Sequence, residues 1–313
     1  MKRVLLTGAT GFIGRQCLPF LSASGAEVHA VSLRSKPQEC SEVSWHQADL
    51  LDWAQTSELI RTVKPTHLLH LAWTVVPGEF WTSKDNFRWV QASLFLLHAF
   101  AESGGQRVVM AGTCAEYDWR YGYCSETVTP LMPSTPYGIC KKALQEMLEA
   151  FGKQAGLSTA WGRIFFLYGP DEHANRLIPF VIRSVICGDQ VPCSHGNQIR
   201  DYLFVKDVAE AFISLLNSEV RGPVNIGSGC AVSLKSMIYE IADKLGGHDL
   251  IKLGARSTPP DDPNLLVADV TRLTKEVGWV PKHELEQGLE QTVNWWKQRL
   301  NIQQGSKEKG VQK

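Results

Sequence analysis

The stretch that decides the fold is Thr7-Gly8-Ala9-Thr10-Gly11-Phe12-Ile13-Gly14, which follows an apolar run ending at Leu6. Gly8 permits a tight turn after a strand, Gly11 lets the backbone approach a pyrophosphate, and Gly14 lets the next helix pack on the sheet. The helix N-terminus then offers free N–H groups to phosphate oxygens. A glycine triplet between a strand and a helix therefore predicts a dinucleotide site formed by Gly8, Thr10, Gly11, Phe12, Ile13 and Gly14.

Short β-branched runs alternate with helical stretches through the first half of the chain. Such alternation predicts an α/β fold, a Rossmann-like doubly wound parallel sheet covered by helices on both faces. The alternation fades after residue 168, so we expect a dinucleotide-binding domain at 1–168, to which the region around residue 225 returns, and a smaller, mostly substrate-binding α/β lobe at 169–300. The polar segment 301–313 predicts a disordered tail. The predicted strands of the first half are 3–7, 27–33, 43–47, 67–71, 107–111 and 158–165, and its helices are 12–23, 53–63, 86–103 and 136–155.

Composition excludes several classes of protein. Lys and Arg number 32 and Asp and Glu number 32, so the net charge is zero, which argues against nucleic acid or an anionic membrane as a partner. The sequence contains no apolar run of the roughly 18 residues that a membrane span needs. Eight cysteines are scattered without metal-ligand spacing, which predicts free thiols, a reducing cytoplasmic location and no metal site.

Further motifs follow in order along the chain: Thr113 after a predicted strand, Tyr137-Gly-Ile-Cys-Lys141, Arg-Ile-Phe-Phe-Leu-Tyr-Gly-Pro at 163–170, Arg-Asp-Tyr-Leu-Phe-Val-Lys-Asp-Val at 200–208 and Gly-Trp-Val-Pro at 278–281. With the G-x-x-G-x-x-G spacing of the first turn, the chain resembles the extended, nucleotide-sugar-modifying branch of the short-chain dehydrogenase/reductase superfamily. The resemblance covers about residues 1–299. It implies an NAD(P)-dependent oxidoreductase that takes a nucleotide sugar as substrate.

The resemblance implies that Thr113, Tyr137 and Lys141 are the catalytic residues. Tyr137 exchanges a proton with a sugar carbonyl oxygen, and Thr113 donates a hydrogen bond to the same oxygen. Lys141 lies one helical turn from Tyr137, where its charge favours the phenolate and its amine holds the nicotinamide ribose, so Tyr137 and Lys141 also count as cofactor contacts. The alternative for Thr113 is an ordinary β-forming residue at a strand end.

Other cofactor contacts are expected at the ends of the second, third and fourth strands. The resemblance implies that Asp49 and Leu50 contact the adenine and that Leu71 and Ala72 lie along the ribose and nicotinamide. The alternative is that Asp49 or Asp52 caps the following helix. The turn after the second strand has no acidic residue but carries Arg34 and Lys36. Because an NAD site usually places a carboxylate there, we predict NADP, with NAD as the alternative.

The predicted substrate contacts rest on different arguments. The resemblance implies that Arg200 grips the diphosphate of a nucleotide sugar, the alternative being a surface salt bridge with Asp201 or Asp207. It also implies nucleotide contacts for Arg176 and Asn225. Trp73 can floor a sugar pocket or simply fill the core, as can Trp81 and Trp89. Glu116, in a polar aromatic loop with Tyr117, Tyr121 and Tyr123, can bond sugar hydroxyls or be solvated.

Three functions remain open at this point. The leading one is an NADP-dependent reductase of a nucleotide-linked 4-ketosugar, and the second is a nucleotide-sugar C4 epimerase. The third is a cofactor-binding regulator without turnover, which the presence of Thr113, Tyr137 and Lys141 disfavours. A 4,6-dehydratase is not expected, because Cys114 and Ala115 stand where the resembled dehydratases carry their additional acid and base, and alternation along an extended strand points Glu116 away.

The sequence departs from the family pattern at two positions, and the resemblance also implies a partner. Phe166 stands where the family commonly has Asn, and Trp89-Val90 stands where it has Asn-Val. The resemblance implies a homodimer in which the helix bearing Tyr137 and the 86–103 helix pack against their copies. The 86–103 helix is apolar on more than one stripe, which suits a helix covered on two sides.

Overall fold

A seven-stranded, wholly parallel sheet forms the centre of the computed structural model, which describes residues 2–34 and 43–310, with side chains as far as residue 301. Its strand order is β7-β6-β5-β4-β1-β2-β3, so the chain moves outward from β1 in one direction and then in the other. The predicted doubly wound Rossmann-like sheet is confirmed. Its strands are β1 (Arg3–Thr7), β2 (Glu27–Ser32), β3 (Ser44–Gln47), β4 (His67–His70), β5 (Arg107–Thr113), β6 (Ser158–Ile164) and β7 (Gly222–Ile226).

Both faces of this sheet are buried. Consecutive strand residues point to opposite faces, so the burial of neighbouring residues in one strand shows that both faces are covered. In β1, Val4 and Leu6 join an apolar cluster on one face, and Leu5 joins a second cluster on the other. All three are fully buried, as in parallel sheets covered by helices on both sides. The helices are α1 (Gly14–Ala23), α2 (Trp53–Val63), α3 (Asp85–Glu102), α4 (Pro136–Ala155), α5 (Leu177–Cys187), α6 (Val205–Asn217), α7 (Leu234–Leu245), α8 (Thr271–Lys275) and α9 (Leu285–Gly310).

A second, smaller sheet lies in the later part of the chain. Its central strand, Ile199–Phe204, pairs with two parallel strands and one antiparallel strand. The chain then returns to the first sheet, where β7 pairs with β6 at the edge. The division into domains at residue 168 stays a prediction. The remaining strands are Tyr123–Cys124, Phe166–Tyr168, Val191–Pro192, Ala231–Ser233, Ile251–Lys252 and Leu265–Ala268, and the short 3₁₀ helices are Cys114–Glu116, Trp119–Tyr121 and His248–Leu250.

The C-terminal segment is described as a helix. Helix α9 continues to Gly310, and a disordered tail at 301–313 stays a prediction. Leu289, Val293 and Trp296 anchor the first half of this helix in a third apolar cluster, which they share with side chains of α5 and α7. Extending an anchored helix needs no new nucleation, and Lys, Gln and Glu have good helix propensity, so a polar composition does not stop it. Residues 311–313 lie outside the described part of the chain.

Three further features concern the described residues alone. Seven cysteines are free thiols there, while Cys40 falls outside the described ranges. Within 2–34 and 43–310, no helix combines the length and the apolar character needed to cross a bilayer. Over the same residues, no three His, Cys, Asp or Glu side chains are grouped so that they could hold a metal ion.

The glycine turn gives a test of the packing of α1. We expect Gly14→Ala to lower the free energy of unfolding by about 3 kcal/mol, because the new Cβ would lie 2.1 Å from the Gly8 carbonyl oxygen, a backbone atom that cannot move aside. Gly11→Ala is the control, since its Cβ would lie 3.1 Å from the same oxygen. Urea unfolding measures both variants. Equal losses in the two would contradict this account of Gly14.

Candidate active site

The predicted site residues come from the carboxyl ends of neighbouring parallel strands. The glycine turn follows β1, Leu71 and Ala72 follow β4, and Thr113 is the last residue of β5. Since these strands run parallel, their carboxyl ends meet at one edge of the sheet, where open α/β sheets bind ligands. Helix α4 begins beside this edge with Pro136, so Tyr137 lies in its first turn.

The glycine turn has the geometry of a phosphate cradle. Gly8 has a φ of +67°, and a Cβ there would lie 2.8 Å from the Ala72 backbone nitrogen, so only glycine fits between β1 and β4. Helix α1 begins after Ile13 with no side-chain cap and no acidic residue in its first turn. Its N–H groups and positive dipole therefore face the turn, where Thr10 and Gly11 are exposed and Phe12 is half-buried. These residues fit a dinucleotide pyrophosphate.

The other predicted cofactor residues surround this turn. Asp52, and not Asp49, caps α2, accepting from the Ala54 N–H at 2.9 Å. Asp49 stays half-buried beside the buried Leu50, where it accepts a bond from the Leu51 N–H. The backbone N–H groups of Leu71 and Ala72 both approach the Thr7 hydroxyl, at 3.2 and 3.3 Å. Arg34 is exposed just beyond β2, and Lys36 lies outside the described residues.

The three predicted catalytic residues are close together and buried. Burial raises the pKa of Tyr137, and a hydrogen bond with Thr113 opposes that rise only in part, so the phenol is protonated at neutral pH. Lys141 Nζ donates to the Ala111 carbonyl oxygen at 2.9 Å. Burial lowers the pKa of this lysine to about 7. The site thus holds a proton on Tyr137 beside an amine that titrates near neutrality.

Four aromatic side chains form a wall around Tyr137, which we call the aromatic wall: Trp73, Phe80, Trp81 and Trp119. The Phe80 and Trp81 rings meet Tyr137 edge-on, with centroids 4.9 and 5.7 Å away. The Trp73 ring also meets Tyr137 edge-on, with 6.4 Å between the centroids. It therefore lies at the predicted sugar pocket, and it also packs against the apolar core. The wall removes water from the phenol, and this desolvation is the main cause of its raised pKa.

Arg176 lies at the edge of the aromatic wall. Its guanidinium stacks over Phe80, 5.4 Å from the ring centroid, and its charge lowers the pKa of Tyr137. A cation there is close enough to the predicted reacting group to meet an anionic substrate. Glu172, one turn earlier, has a buried Oε2 without a hydrogen-bond partner, and burial raises its pKa to about 8.

Glu116 is not placed to bind a sugar. The chain turns into a 3₁₀ helix after Thr113, so the extended alternation expected here does not occur. The Glu116 carboxylate is fully buried, and it accepts bonds from the Thr113 N–H at 2.8 Å, the Trp161 indole at 2.9 Å and the Arg163 guanidinium at 2.7 Å. Its role is to fix the end of β5, because both oxygens are engaged within the protein.

The nucleotide contact predicted for Asn225 stays a prediction, and its side chain is engaged within the protein. Its amide nitrogen donates to the Cys124 and Asp269 carbonyl oxygens, at 2.8 and 3.0 Å. Its amide oxygen accepts from the Tyr117 hydroxyl at 2.7 Å, and the side chain is fully buried. Arg163 also donates to that hydroxyl. Asn225 therefore joins the first sheet to the segments that form the second sheet.

Arg200 pairs with a partner that its sequence neighbours did not indicate. It forms a 2.6 Å ion pair with Asp262, and neither Asp201 nor Asp207 is its partner. The guanidinium also faces Phe166, 5.3 Å from the ring centroid, at the position where the family commonly has Asn. A cavity of about 780 Å³, lined by Ala115 and Asp262 among others, opens next to this pair. Arg200 as a diphosphate contact stays a prediction.

The sequence reasoning missed a contact between the glycine turn and the later part of the chain. Arg15 donates to the Thr10 carbonyl oxygen at 2.7 Å and forms a 2.6 Å ion pair with Asp171. Asp171 has a φ of +71° and directly follows the Tyr-Gly-Pro motif. The sequence did offer a signal for this contact, because Arg15 directly follows Gly14 and Asp171 directly follows that motif.

Glu116 gives a test that separates a structural role from substrate binding. We expect Glu116→Gln to lower the free energy of unfolding by about 3–5 kcal/mol, because it leaves the buried Arg163 charge without its partner. Glu146→Gln removes an exposed ion pair with Lys142 and should cost under about 1 kcal/mol. Urea unfolding measures both. If Glu116→Gln loses no more unfolding free energy than Glu146→Gln, the structural role of Glu116 is contradicted, and a substrate contact becomes the better explanation.

Comparison with known proteins agrees with this architecture. The model of the NAD dependent epimerase/dehydratase family matches residues 4–227. A dTDP-glucose 4,6-dehydratase from Haemophilus influenzae is 31% identical, covering 95% of this chain and 98% of the relative. A dTDP-4-dehydro-6-deoxyglucose reductase from Escherichia coli is 24% identical, covering 93% and 96%. The solved structure of MoeE5 in complex with UDP-glucuronic acid and NAD superposes with a TM-score of 0.83 at 30% identity, covering 95% of this chain and 99% of that one. This chain therefore belongs to the NAD-dependent epimerase/dehydratase family, and it is an NAD(P)-dependent enzyme of the extended short-chain dehydrogenase/reductase type.

Proposed function

We propose that the protein is an NADP-dependent reductase of a nucleotide-linked 4-ketosugar, in particular a 4-keto-6-deoxyhexose. The observation that carries this proposal is the buried, protonated Tyr137, which lies beside the buried Thr113 and one helical turn from Lys141. A protonated phenol is the form that a reductase needs, because reduction of a ketone consumes one proton.

The side chains divide the work as follows. When bound, the reduced nicotinamide supplies the hydride. Tyr137 gives its phenolic proton to the carbonyl oxygen, which becomes the hydroxyl of the product. Thr113 donates a hydrogen bond to the same oxygen and stabilises the charge that develops on it. The Lys141 ammonium favours the phenolate that remains, and Lys141 would also hold the nicotinamide ribose.

The aromatic wall favours a deoxygenated sugar. Trp81, half-buried beside Tyr137, offers apolar ring atoms rather than hydrogen-bond acceptors, which suits the C–H face and the C6 methyl group of a 6-deoxyhexose. The relative from Escherichia coli is named for a substrate of this kind. Arg176 and Arg200 are the proposed contacts of the diphosphate, since a guanidinium fork suits phosphate oxygens.

A dehydratase is disfavoured, although the relative from Haemophilus influenzae carries that name. Removing water across C5–C6 needs an acid and a base besides Tyr137. Ala115 has no proton to move, and burial raises the pKa of the Cys114 thiol, which makes it a poor acid. Glu116 is the nearest carboxylate, and its oxygens are already bonded to Thr113, Trp161 and Arg163.

The second candidate is a nucleotide-sugar C4 epimerase with a tightly held cofactor. It would use Thr113, Tyr137 and Lys141 in the same roles, and the matching family includes epimerases by its description. An epimerase returns the hydride that it takes, so it consumes no cofactor. A regulator without turnover stays the least favoured reading, because a regulator has no need for all three of these side chains.

We also propose a homodimer and a cytoplasmic location. Helices α3 and α4 lie side by side, and large apolar side chains stay exposed on them, including Phe87, Ile139 and Met147. Burying these against a second copy would form the four-helix interface that the family resemblance implies. The location follows from the free cysteines, which persist as thiols in a reducing compartment.

The reductase proposal is tested with a panel of nucleotide-linked 4-ketosugars, following nicotinamide absorbance. We expect one cofactor oxidised per ketosugar consumed, and Tyr137→Phe should lower kcat by about 10²–10⁴-fold because it removes only the proton donor. Tyr123→Phe, at an exposed tyrosine, is the matched control. Isomerised sugar without net cofactor oxidation would favour the epimerase, and wild-type rates from Tyr137→Phe would remove its proposed role.

Cofactor choice is a separate prediction. We expect a higher kcat/KM with NADPH than with NADH, and Arg34→Ala should lower the NADPH value by about tenfold, since it removes a charged donor to the 2′-phosphate. The NADH value should hardly change. Arg61→Ala, on the exposed face of α2, serves as the control. A higher kcat/KM with NADH in the wild-type protein would show that the turn carrying Arg34 and Lys36 does not bind the 2′-phosphate.

A further inference from the structure

The amine of Lys141 lies on the face of an indole ring. Its Nζ is 3.6 Å from the centroid of the Trp73 ring and 5.8 Å from that of Trp161. One of its three N–H groups donates to the Ala111 carbonyl oxygen, and the side chain is almost completely buried. With one donor on a carbonyl and the ring face against the amine, at least one donor remains for a ligand.

Trp73 is fixed by its own contacts and not by Lys141. Its indole N–H donates to the Asn86 amide oxygen at 2.9 Å, and the Asn86 amide nitrogen donates to the Phe80 and Ser83 carbonyl oxygens. The Trp89 ring stacks against Trp73 with 6.1 Å between centroids. The ring face is therefore in place before any ligand arrives.

The ionisable groups around Lys141 supply no unpaired negative charge within the described part of the chain. Glu116 raises the lysine pKa, but this carboxylate is already paired with Arg163. Burial raises the pKa of Cys140 and of Tyr137, so both are neutral at pH 7. His70, on β4, is neutral as well, because burial lowers its pKa to about 3.

After the Ala111 carbonyl oxygen, the ring face is the nearest group that favours the charged amine. The negative face of an indole attracts a cation most strongly where water is excluded, as it is here. Desolvation acts in the opposite direction and is the largest effect on this lysine. The balance between the two decides how much of Lys141 is ammonium at neutral pH.

We propose that Trp73 is a positioning residue that holds Lys141 in its ammonium form and aims its remaining donor into the active site. This inference goes beyond the proposed reduction, although it rests on the role given there to Lys141. It also explains why a large aromatic residue, Trp73, directly follows Ala72, where it contacts both Lys141 and Tyr137.

The test is the titration of Lys141 in the protein without cofactor, followed by NMR of ¹³Cε-labelled lysine. Lys141→Arg assigns the signal. We expect Trp73→Phe, which keeps an aromatic face, to titrate close to wild type, and Trp73→Leu to titrate about one pH unit lower. A midpoint in Trp73→Leu that is unchanged or higher would overturn the proposal, because a merely space-filling tryptophan would admit water when removed and raise the midpoint.

An isosteric series keeps the proposal testable if Trp73→Leu does not fold. Growth on mono-, di- and trifluorinated tryptophan weakens the ring face in steps with little change in shape. We expect the Lys141 midpoint to fall with each fluorine while exposed lysines such as Lys153 keep theirs. A flat series would refute the role of Trp73. Neither titration uses a sugar, so failure of the reductase assay and failure of this inference are distinguishable.

Discussion

The buried carboxylate of Glu116 is the constraint on which the site depends. It bonds the backbone of Thr113, the indole of Trp161 and the guanidinium of Arg163 at once. Through Arg163 and Tyr117 the same network reaches Asn225 on β7. Such a network is stable only when every buried polar group has a partner, so the end of β5 is held in one position relative to the later part of the chain.

Desolvation then sets the protonation of the groups that this framework positions. The aromatic wall and the helix α4 keep water from Tyr137, which stays protonated, and from Lys141, whose pKa falls to about 7. One physical effect moves the pKa values of an acid and a base in opposite directions, so that Tyr137 is neutral and Lys141 titrates near neutral pH before ligands bind. Charge on Lys141 then depends on nearby groups, which include the Ala111 carbonyl oxygen and the Trp73 ring face.

Several elements were predictable because their signals are local. The bounds of α2 and α4 agree with the sequence prediction, since the chain there carries its own start and stop residues. Asp52 caps α2, Thr135 precedes α4 and Gly156 ends it in a left-handed conformation, as helix termini require. The prediction that α1 begins at Phe12 was two residues early, because the turn uses Phe12 and Ile13 before the helix begins.

The sequence by itself determined the sheet, the glycine turn and the placement of Tyr137 and Lys141 one helical turn apart, because each depends on steric or spacing rules within a few residues. Thr113 joined these two residues through the family resemblance. The tertiary structure alone decided the roles of Glu116 and Asn225. Both are polar side chains whose partners include residues of other segments, 44 or more positions away in the chain. Whether a polar side chain faces a ligand or a buried partner is set by which distant segments pack against it, and no local pattern records that choice.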